Sequence, residues 1–377
     1  MLKSDSWKLK EESKIDICVI GGGVIGSTTA YYLANLGHEI ALIDPAIDQW
    51  KEYQISRTGT QASLGVLMGY IFRRSKGRSW ELRKRSMELW PKLIKALNTN
   101  ECPLSIDTPL IQLANSNSEV EAIKKLINER SEFGITSLEE YSNDIDSLNL
   151  PNSDFGGLVS HKDGRIDPKL LMNSIINKLE LLKVKKVKEN VISLKKIISS
   201  DSYRWKIDLA NNKIIKANYL IICAGLQSEG LLKPLGHQIN LEPILGQAIE
   251  IEKKDTVLRN FKWPAVINTN GINLISTKFN TIIIGATLEP GLVTSKTYLE
   301  KMKNIDGLAP DWIKNSIIIN KWHGIRARPN NQPAPILQKL EEGLIINTGH
   351  YRNGILLAPA CAEWVANKIT ADKLPIQ

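Results

Sequence analysis

Apolar positions along this chain fall into short runs that stop at glycine and longer stretches spaced for helices. The pattern repeats at the two ends. Residues 15–26 read IDICVIGGGVIG, and residues 344–359 read LIINTGHYRNGILLAP. Each is an apolar strand entering a glycine-containing turn and then a helix. Between them, PLIQLA (109–114), QAIEIE (247–252), INLIS (272–276) and TIIIGATL (281–288) read as strands. EVEAIKKLINERSEFG (119–134) carries Val120, Ile123, Leu126 and Ile127 at helical spacing, a stripe that reads as core. No repeat with a period of roughly 20–50 residues is visible.

The N-terminal unit has a specific chemistry. Gly21, Gly23 and Gly26 have GxGxxG spacing directly after a β-prone run. STTAYYLANLG follows as a helix, and EIALID as a second strand ending at Asp44. Strand, glycine turn, helix, strand and acidic end is the order of a dinucleotide-binding βαβ unit. The glycines let the backbone approach a pyrophosphate, the helix N-terminus offers free N–H groups, and Asp44 is placed to accept from a ribose. Units of this kind at both ends suggest one large cofactor gripped twice. Spacing alone leaves NAD and FAD both open.

Resemblance chooses between them. GGGVIG is followed in order by RTGTQASLGVLMG (57–69), DGRIDPKLL (163–171), LIICAGLQS (220–228), PILGQA (243–248), IIIGATLEPG (282–291), WHGIRARP (322–329) and GHYRNGILLAP (349–359). In these segments the chain resembles the D-amino-acid-oxidase family of flavoenzymes, most closely its glycine-oxidase branch, over roughly residues 15–370. The resemblance implies an α/β plus α+β chain: a discontinuous Rossmann-like FAD-binding domain and a second, mostly antiparallel-sheet substrate domain. Residues 14–86, 156–240 and 322–377 would form the first, and 87–155 and 241–321 the second, with 1–13 a flexible tail. FAD would touch Gly21, Gly23, Val24, Ile25, Gly26, Asp44, Pro45, Gly59, Thr60, Gln61, Ser63, Leu64, Gly65, Val66, Val191, Ala224 and Gly225. It would also touch His350, Tyr351, Arg352, Asn353, Gly354, Ile355 and Leu356. Related sarcosine oxidases attach flavin through a cysteine after the WxGxR region. No cysteine lies between Cys223 and Cys361, so noncovalent FAD is expected.

The resemblance also implies hydride transfer from an amino-acid carbon to the flavin, giving an imine and then an oxo acid. A neutral bound amine needs no strong base, but the carboxylate needs an anchor, and arginine's planar fork suits it. Arg326 matches the family's carboxylate-clamping arginine, and Arg352 a second arginine near substrate and flavin. Arg328 is a register competitor, because Ala327 and Arg328 stand where the family pattern has proline directly after the anchor. Backbone N–H groups near Asn353, Gly354 and Ile355 would stabilise negative charge on reduced flavin, with Pro359 in the following helix's first turn. His350 and Tyr351 read as packing or supporting groups. Asn273 and Gly271 replace a tyrosine and a histidine that line the pocket in glycine oxidases, and Leu288 replaces a methionine. Asn273 retains one hydrogen-bond donor for substrate.

Composition narrows the rest. The 377 residues favour two domains. No apolar run reaches the roughly 18 residues of a membrane span, and the N-terminus lacks a secretion signal, so a cytoplasmic protein without integral membrane association is expected. Net charge is +9, with KVKKVKENVISLKK (183–196) the densest cluster. It lacks interleaved aromatics and reads as a solvated strand-turn edge rather than a nucleic-acid surface. A second basic stretch, RRSKGRSWELRKR (73–85), either receives an anionic substrate or coats a helix. Cys18, Cys102, Cys223 and Cys361 show no metal-ligand or disulfide spacing, with Cys18 and Cys223 placed inside strands. The histidines form no cluster, and no metal is expected.

The leading expectation is oxidation of glycine, a small D-amino acid or a related secondary amine acid, with O2 as acceptor. An amino-acid dehydrogenase passing electrons to a quinone or other carrier, and a flavin-binding module in RNA modification, stand as alternatives. Homo-oligomerisation is left open.

Overall fold

The computed structural model describes residues 9–47, 56–99, 103–141, 150–151, 154–198, 203–252, 263–277 and 280–373. Strand Glu12–Ile20 is central to an eight-stranded sheet. It pairs in parallel with Ile40–Ile43 on one side and Ile214–Ile222 on the other. Leu344–Thr348 pairs in parallel with the far side of Ile214–Ile222. The two glycine-ended strands of the sequence therefore lie in one sheet, separated by a single strand, and their turns open on the same edge.

Helices Val24–Asn35, Pro168–Leu181 and Gly354–Lys373 contribute Leu33, Leu171, Ile175, Val365 and Ile369 to the core against one face. Pro168–Leu181 starts at the DP of the DGRIDP segment: Asp167 Oδ1 accepts from the N–H groups of Lys169 (2.9 Å) and Leu170 (3.1 Å), and Pro168 fills the first turn. Strands Val191–Lys196 and Trp205–Leu209 extend the sheet antiparallel from Ile214–Ile222. Leu194, Trp205 and Ile207 share a core with Ala41, Ile43 and Val187, so this ribbon curls over the other face.

The second sheet has ten strands. Leu241–Glu252 is paired antiparallel with Ile318–Pro329 on one side and Thr281–Gly285 on the other. Ile272–Ser276, Val266–Thr269, Leu110–Leu113, Gly157–Ser160 and Ile135–Ser137 follow outward. Helices Leu138–Tyr141, Lys296–Lys303 and Asp311–Lys314 cover one face through Leu138, Met302 and Ile313. Helix Asn117–Arg130 buries Ile123 and Leu126, with Val120 and Ile127 partly buried beside them. Ser116 caps it, accepting from Glu119 N at 3.3 Å, while Glu119 Oε2 accepts from Asn115 N at 2.9 Å.

Three boundaries differ from the sequence expectation. Residues 322–329 and 157–160 are expected in the flavin-binding unit, but they run in strands Ile318–Pro329 and Gly157–Ser160 of the second sheet. Apolar alternation marks a strand without naming the neighbour it will hydrogen-bond. The tail expected to reach residue 13 ends earlier, because the central strand begins at Glu12 and Leu9 packs on the core. Pro359 is the sixth residue of Gly354–Lys373 rather than part of its first turn, and there it removes the N–H that would serve the Ile355 carbonyl.

Candidate active site

A cavity of about 1590 Å³ opens where the carboxyl edge of the parallel strands faces the second sheet. Gly21 makes its first wall with φ +106°, and a side chain there would run into the Cys223 backbone. Asp44 follows the second strand. Its Oδ2 accepts from Gly22 N and its Oδ1 from Ala46 N, both at 2.7 Å, so the carboxylate is locked in place at the cavity wall. Thr60 Oγ1 accepts from Val24 N at 3.1 Å, which ties the threonine-rich loop to the start of the glycine-turn helix.

The C-terminal turn meets the cavity from the other side. Tyr351, at φ +55°, donates its N–H to the Ala327 carbonyl at 3.1 Å, docking the turn against Ile318–Pro329. Gly354 and Ile355 line the cavity, so the N-terminus of the last helix, with its positive dipole end, faces into it. His350 is 6% exposed, and burial with the nearby Arg78 charge lowers its pKa to about 3. It is neutral and cannot act as a cationic acid. Its Nε2 and the Asn347 Oδ1 are buried without a hydrogen-bond partner among the described residues, and both residues line the cavity. Unsatisfied polar atoms around a space of this size, together with the glycine cradle and the fixed Asp44, fit a polar dinucleotide such as FAD.

Of the residues expected at the cofactor, Gly23, Val24, Ile25, Pro45, Gly59, Gln61, Ser63, Leu64, Val66, Val191, Ala224, Gly225, Arg352 and Asn353 also line the cavity. Gly26, Gly65 and Leu356 do not. Gly26 is needed for packing, since a side chain there would overlap the Gly21 carbonyl, and Gly65 stands in the same relation to the Ile166 carbonyl. Leu356 is 2% exposed, and its carbonyl accepts from Trp90 Nε1 at 3.1 Å.

Arg326 lines the cavity from the second sheet. Its Nη1 donates to the Thr287 carbonyl at 3.0 Å and more weakly to the Leu245 carbonyl at 3.4 Å. No carboxylate pairs with it among the described residues. Burial, then the Arg352 charge, lowers its pKa to about 10, so it stays cationic near neutrality. Arg352 is exposed at the cavity and reaches the Gly271 carbonyl at 3.5 Å. Arg328 is on the same side of the strand but ion-pairs with Glu242 at 2.5 Å and does not line the cavity. Of the two register candidates, Arg326 therefore faces the cavity and Arg328 does not. Asn273 is buried on the cavity wall, its Oδ1 accepting from Asn268 Nδ2 at 2.9 Å, which leaves its own amide N–H groups as donors.

Sequence reasoning missed several groups. Glu289 is 2% exposed and accepts from Thr287 Oγ1, from Gln247 Nε2 at 2.9 Å and from Ser295 N at 2.7 Å. This buried carboxylate fixes the turn whose Thr287 carbonyl holds Arg326. The GATLEP segment contained the signal, but only pairing with Leu241–Glu252 brings Gln247 to it. Asp163, in the DGRIDP segment, is fully buried and accepts from Gly69 N (2.8 Å), Tyr70 N (3.0 Å), Ile71 N (3.0 Å) and Ser160 Oγ (3.0 Å). It shapes the loop that carries Met68, Ile71 and Phe72 into the cavity. Desolvation raises its pKa to about 6 against those hydrogen bonds.

The basic stretch at 73–85 divides. Arg73, Arg74 and Arg83 line the cavity, whereas Arg85 pairs with Glu363 at 2.7 Å and Glu88 at 3.1 Å outside it. The 183–196 cluster lies on the two edge strands, with Lys185, Lys186, Lys195 and Lys196 paired to Glu39, Glu180, Asp208 and Glu341. Cys18 is in the central strand. Cys223 lies one residue past Ile214–Ile222 rather than inside it, and Cys102 lies outside the described residues. No helix among the described residues is long and apolar enough to cross a membrane.

Known proteins share this architecture. The chain is 22% identical to a glycine oxidase of Bacillus licheniformis, across 95% of this chain and 94% of that protein. It is 22% identical to a D-amino acid dehydrogenase of Rhizobium johnstonii, across 94% and 95%. The crystal structure of glycine oxidase from Geobacillus kaustophilus superposes with a TM-score of 0.80 at 20% identity, covering 97% of each chain. The DAO family, described as FAD dependent oxidoreductase, matches residues 16–368. That match spans nearly the whole chain, including both glycine turns at the cavity, and the chain belongs to the DAO family of FAD-dependent oxidoreductases.

Proposed function

We propose that this chain oxidises the C–N bond of a small amino acid: glycine, a small D-amino acid or a related secondary amine acid. The observation that carries the reading is Arg326, a cation without a carboxylate partner among the described residues, built into the wall of a cavity that also holds the dinucleotide cradle. Its Nη1 is held by Thr287, and its remaining N–H groups suit a substrate carboxylate. Arg352 adds positive charge, and Asn273 offers an amide donor. Bound FAD supplies the two-electron acceptor.

The chain's own work is positioning. Among the described residues lining the cavity, only Asp44 and Glu189 are acidic, and Asp44 is committed to the nucleotide cradle. His350 is held neutral. No strong base is therefore built beside Arg326, and the amine must bind neutral or lose its proton to water. Loss of a hydride from carbon and a proton from nitrogen gives an imine, and water converts the imine to oxo acid and ammonia, or to oxo acid and a primary amine when the substrate is a secondary amine.

The cofactor is read as noncovalent: Cys223 is the cavity's cysteine among the described residues, and burial pushes its thiol well above the usual range. O2 as acceptor gives H2O2, while the similarity to a D-amino acid dehydrogenase keeps a carrier such as a quinone as a second reading. Anaerobic mixing with glycine, sarcosine and D-alanine tests the proposal. Bleaching of the yellow flavin colour supports amine oxidation; a flavin left oxidised by every amino acid defeats it. Re-oxidation by air against a quinone then separates the acceptors.

A further inference from the structure

Charge is uneven around the cavity. The acidic lining residues, Asp44 and Glu189, are accompanied by five arginines: Arg73, Arg74, Arg83, Arg326 and Arg352. One amino-acid carboxylate needs one guanidinium fork, and Arg326 supplies it. The FAD pyrophosphate is served by the helix that starts at Val24. The cationic wall exceeds what those two anions require.

Arg83 is the most telling member. It is 9% exposed, and its guanidinium lies 4.1 Å above the Phe72 ring. Nη1 donates to Asn353 Oδ1 at 3.1 Å, while Nε is buried without a partner among the described residues. No carboxylate lies within ion-pair distance of Arg83 among those residues. Asp163 acts on it electrostatically, but that carboxylate already accepts three backbone N–H groups and the Ser160 hydroxyl. Burying a cation without a counter-charge is costly unless a ligand brings one. Asn353 is the residue after Arg352, whose charge in turn acts on Arg326, so these cations share one region. The neighbouring wall is polar as well, with Gln112 and Asn273 presenting amides.

We propose that the preferred substrate carries a second acidic group: an amino dicarboxylic acid, with its α-carboxylate on Arg326 and its distal carboxylate on Arg83. This rests on the amine-oxidation reading for the reaction but not for the binding. Arg352 adds to the field that holds the dianion. Arg73 is mostly exposed and faces Glu119 at 3.6 Å, so it contributes at the rim.

The test uses the FAD-loaded protein and two readouts. Titration with acetate, propionate, malonate and succinate, followed by perturbation of the flavin absorbance, measures binding without turnover. Diacids should bind at least about tenfold more tightly than monoacids, and Arg83→Gln should erase most of that ratio while the protein stays yellow. Equal affinity of mono- and diacids for the wild type overturns the proposal, whether or not the variant folds. Anaerobic reduction by D-aspartate and D-glutamate should also be more efficient than by glycine or D-alanine; a preference for glycine overturns it. If no amino acid reduces the flavin yet diacids bind selectively through Arg83, amine oxidation falls and the diacid site stands.

Discussion

The Arg326 guanidinium occupies the space where residue 246 has no side chain. Gly246 pairs with Gly324 on the adjacent strand, and a Cβ at 246 would overlap Arg326 Nη1, Nη2 and Cζ. The glycine of PILGQA thus makes room for the arginine of WHGIRARP, and the two motifs are one device.

Removing the anchor isolates its role. Arg326→Ala should raise the substrate concentration needed for flavin reduction by at least about tenfold, on the roughly 1.5–3 kcal/mol of a charged hydrogen-bond partner. FAD content should not change. Arg328→Ala should do far less, because that side chain faces Glu242 outside the cavity. The reverse ranking in stopped-flow reduction would show that the anchor is misassigned.

Filling the gap should resemble removing the arginine. Gly246→Ala forces the guanidinium to move, so substrate affinity should drop by about tenfold or more while the visible spectrum still reports bound FAD. Wild-type affinity in this variant would mean that the guanidinium has another resting place.

Under the proposed anchoring role of Arg326, Glu289 acts on substrate through Thr287, whose carbonyl accepts from Arg326. Glu289→Gln keeps a carbonyl acceptor for the turn but removes the buried negative charge. We expect KM to rise about three- to tenfold with kcat changed less than about twofold. Equal losses in both, or loss of FAD, would indicate general damage instead.

His350 gives a pH prediction with a definite sign. Its pKa in the fold, about 3, lies below the ordinary value of 6.5. Its stabilising contribution is therefore complete above about 6.5 and is lost as pH falls toward 3, because the unfolded chain binds the proton more readily. Thermal unfolding of the FAD-free protein between pH 7 and about 4 should show a steeper fall in Tm for wild type than for His350→Gln. Parallel curves would contradict a buried neutral imidazole.

Much of this protein was legible in order along the chain. The GxGxxG turn, the acidic strand end at Asp44 and the helix stripe of 119–134 follow from local rules: glycine for close backbone approach, period 3.6 for a buried helix face. Arg326 and Arg352 could be singled out by resemblance, since their motifs are contiguous. Other features required the folded chain. Ile318–Pro329 joins the second sheet because of its hydrogen-bond partners, which alternation of side chains does not encode. Arg328 competes in register with Arg326 along the chain, and only the fold shows it paired with Glu242 across the sheet. Whether Arg83 coats a helix or faces a site is open in the sequence, and only the fold puts Phe72, Asn353 and the cavity around it. Local sequence sets backbone conformation and period, whereas the charge state and exposure of a side chain depend on neighbours that only long-range packing brings within a few ångströms.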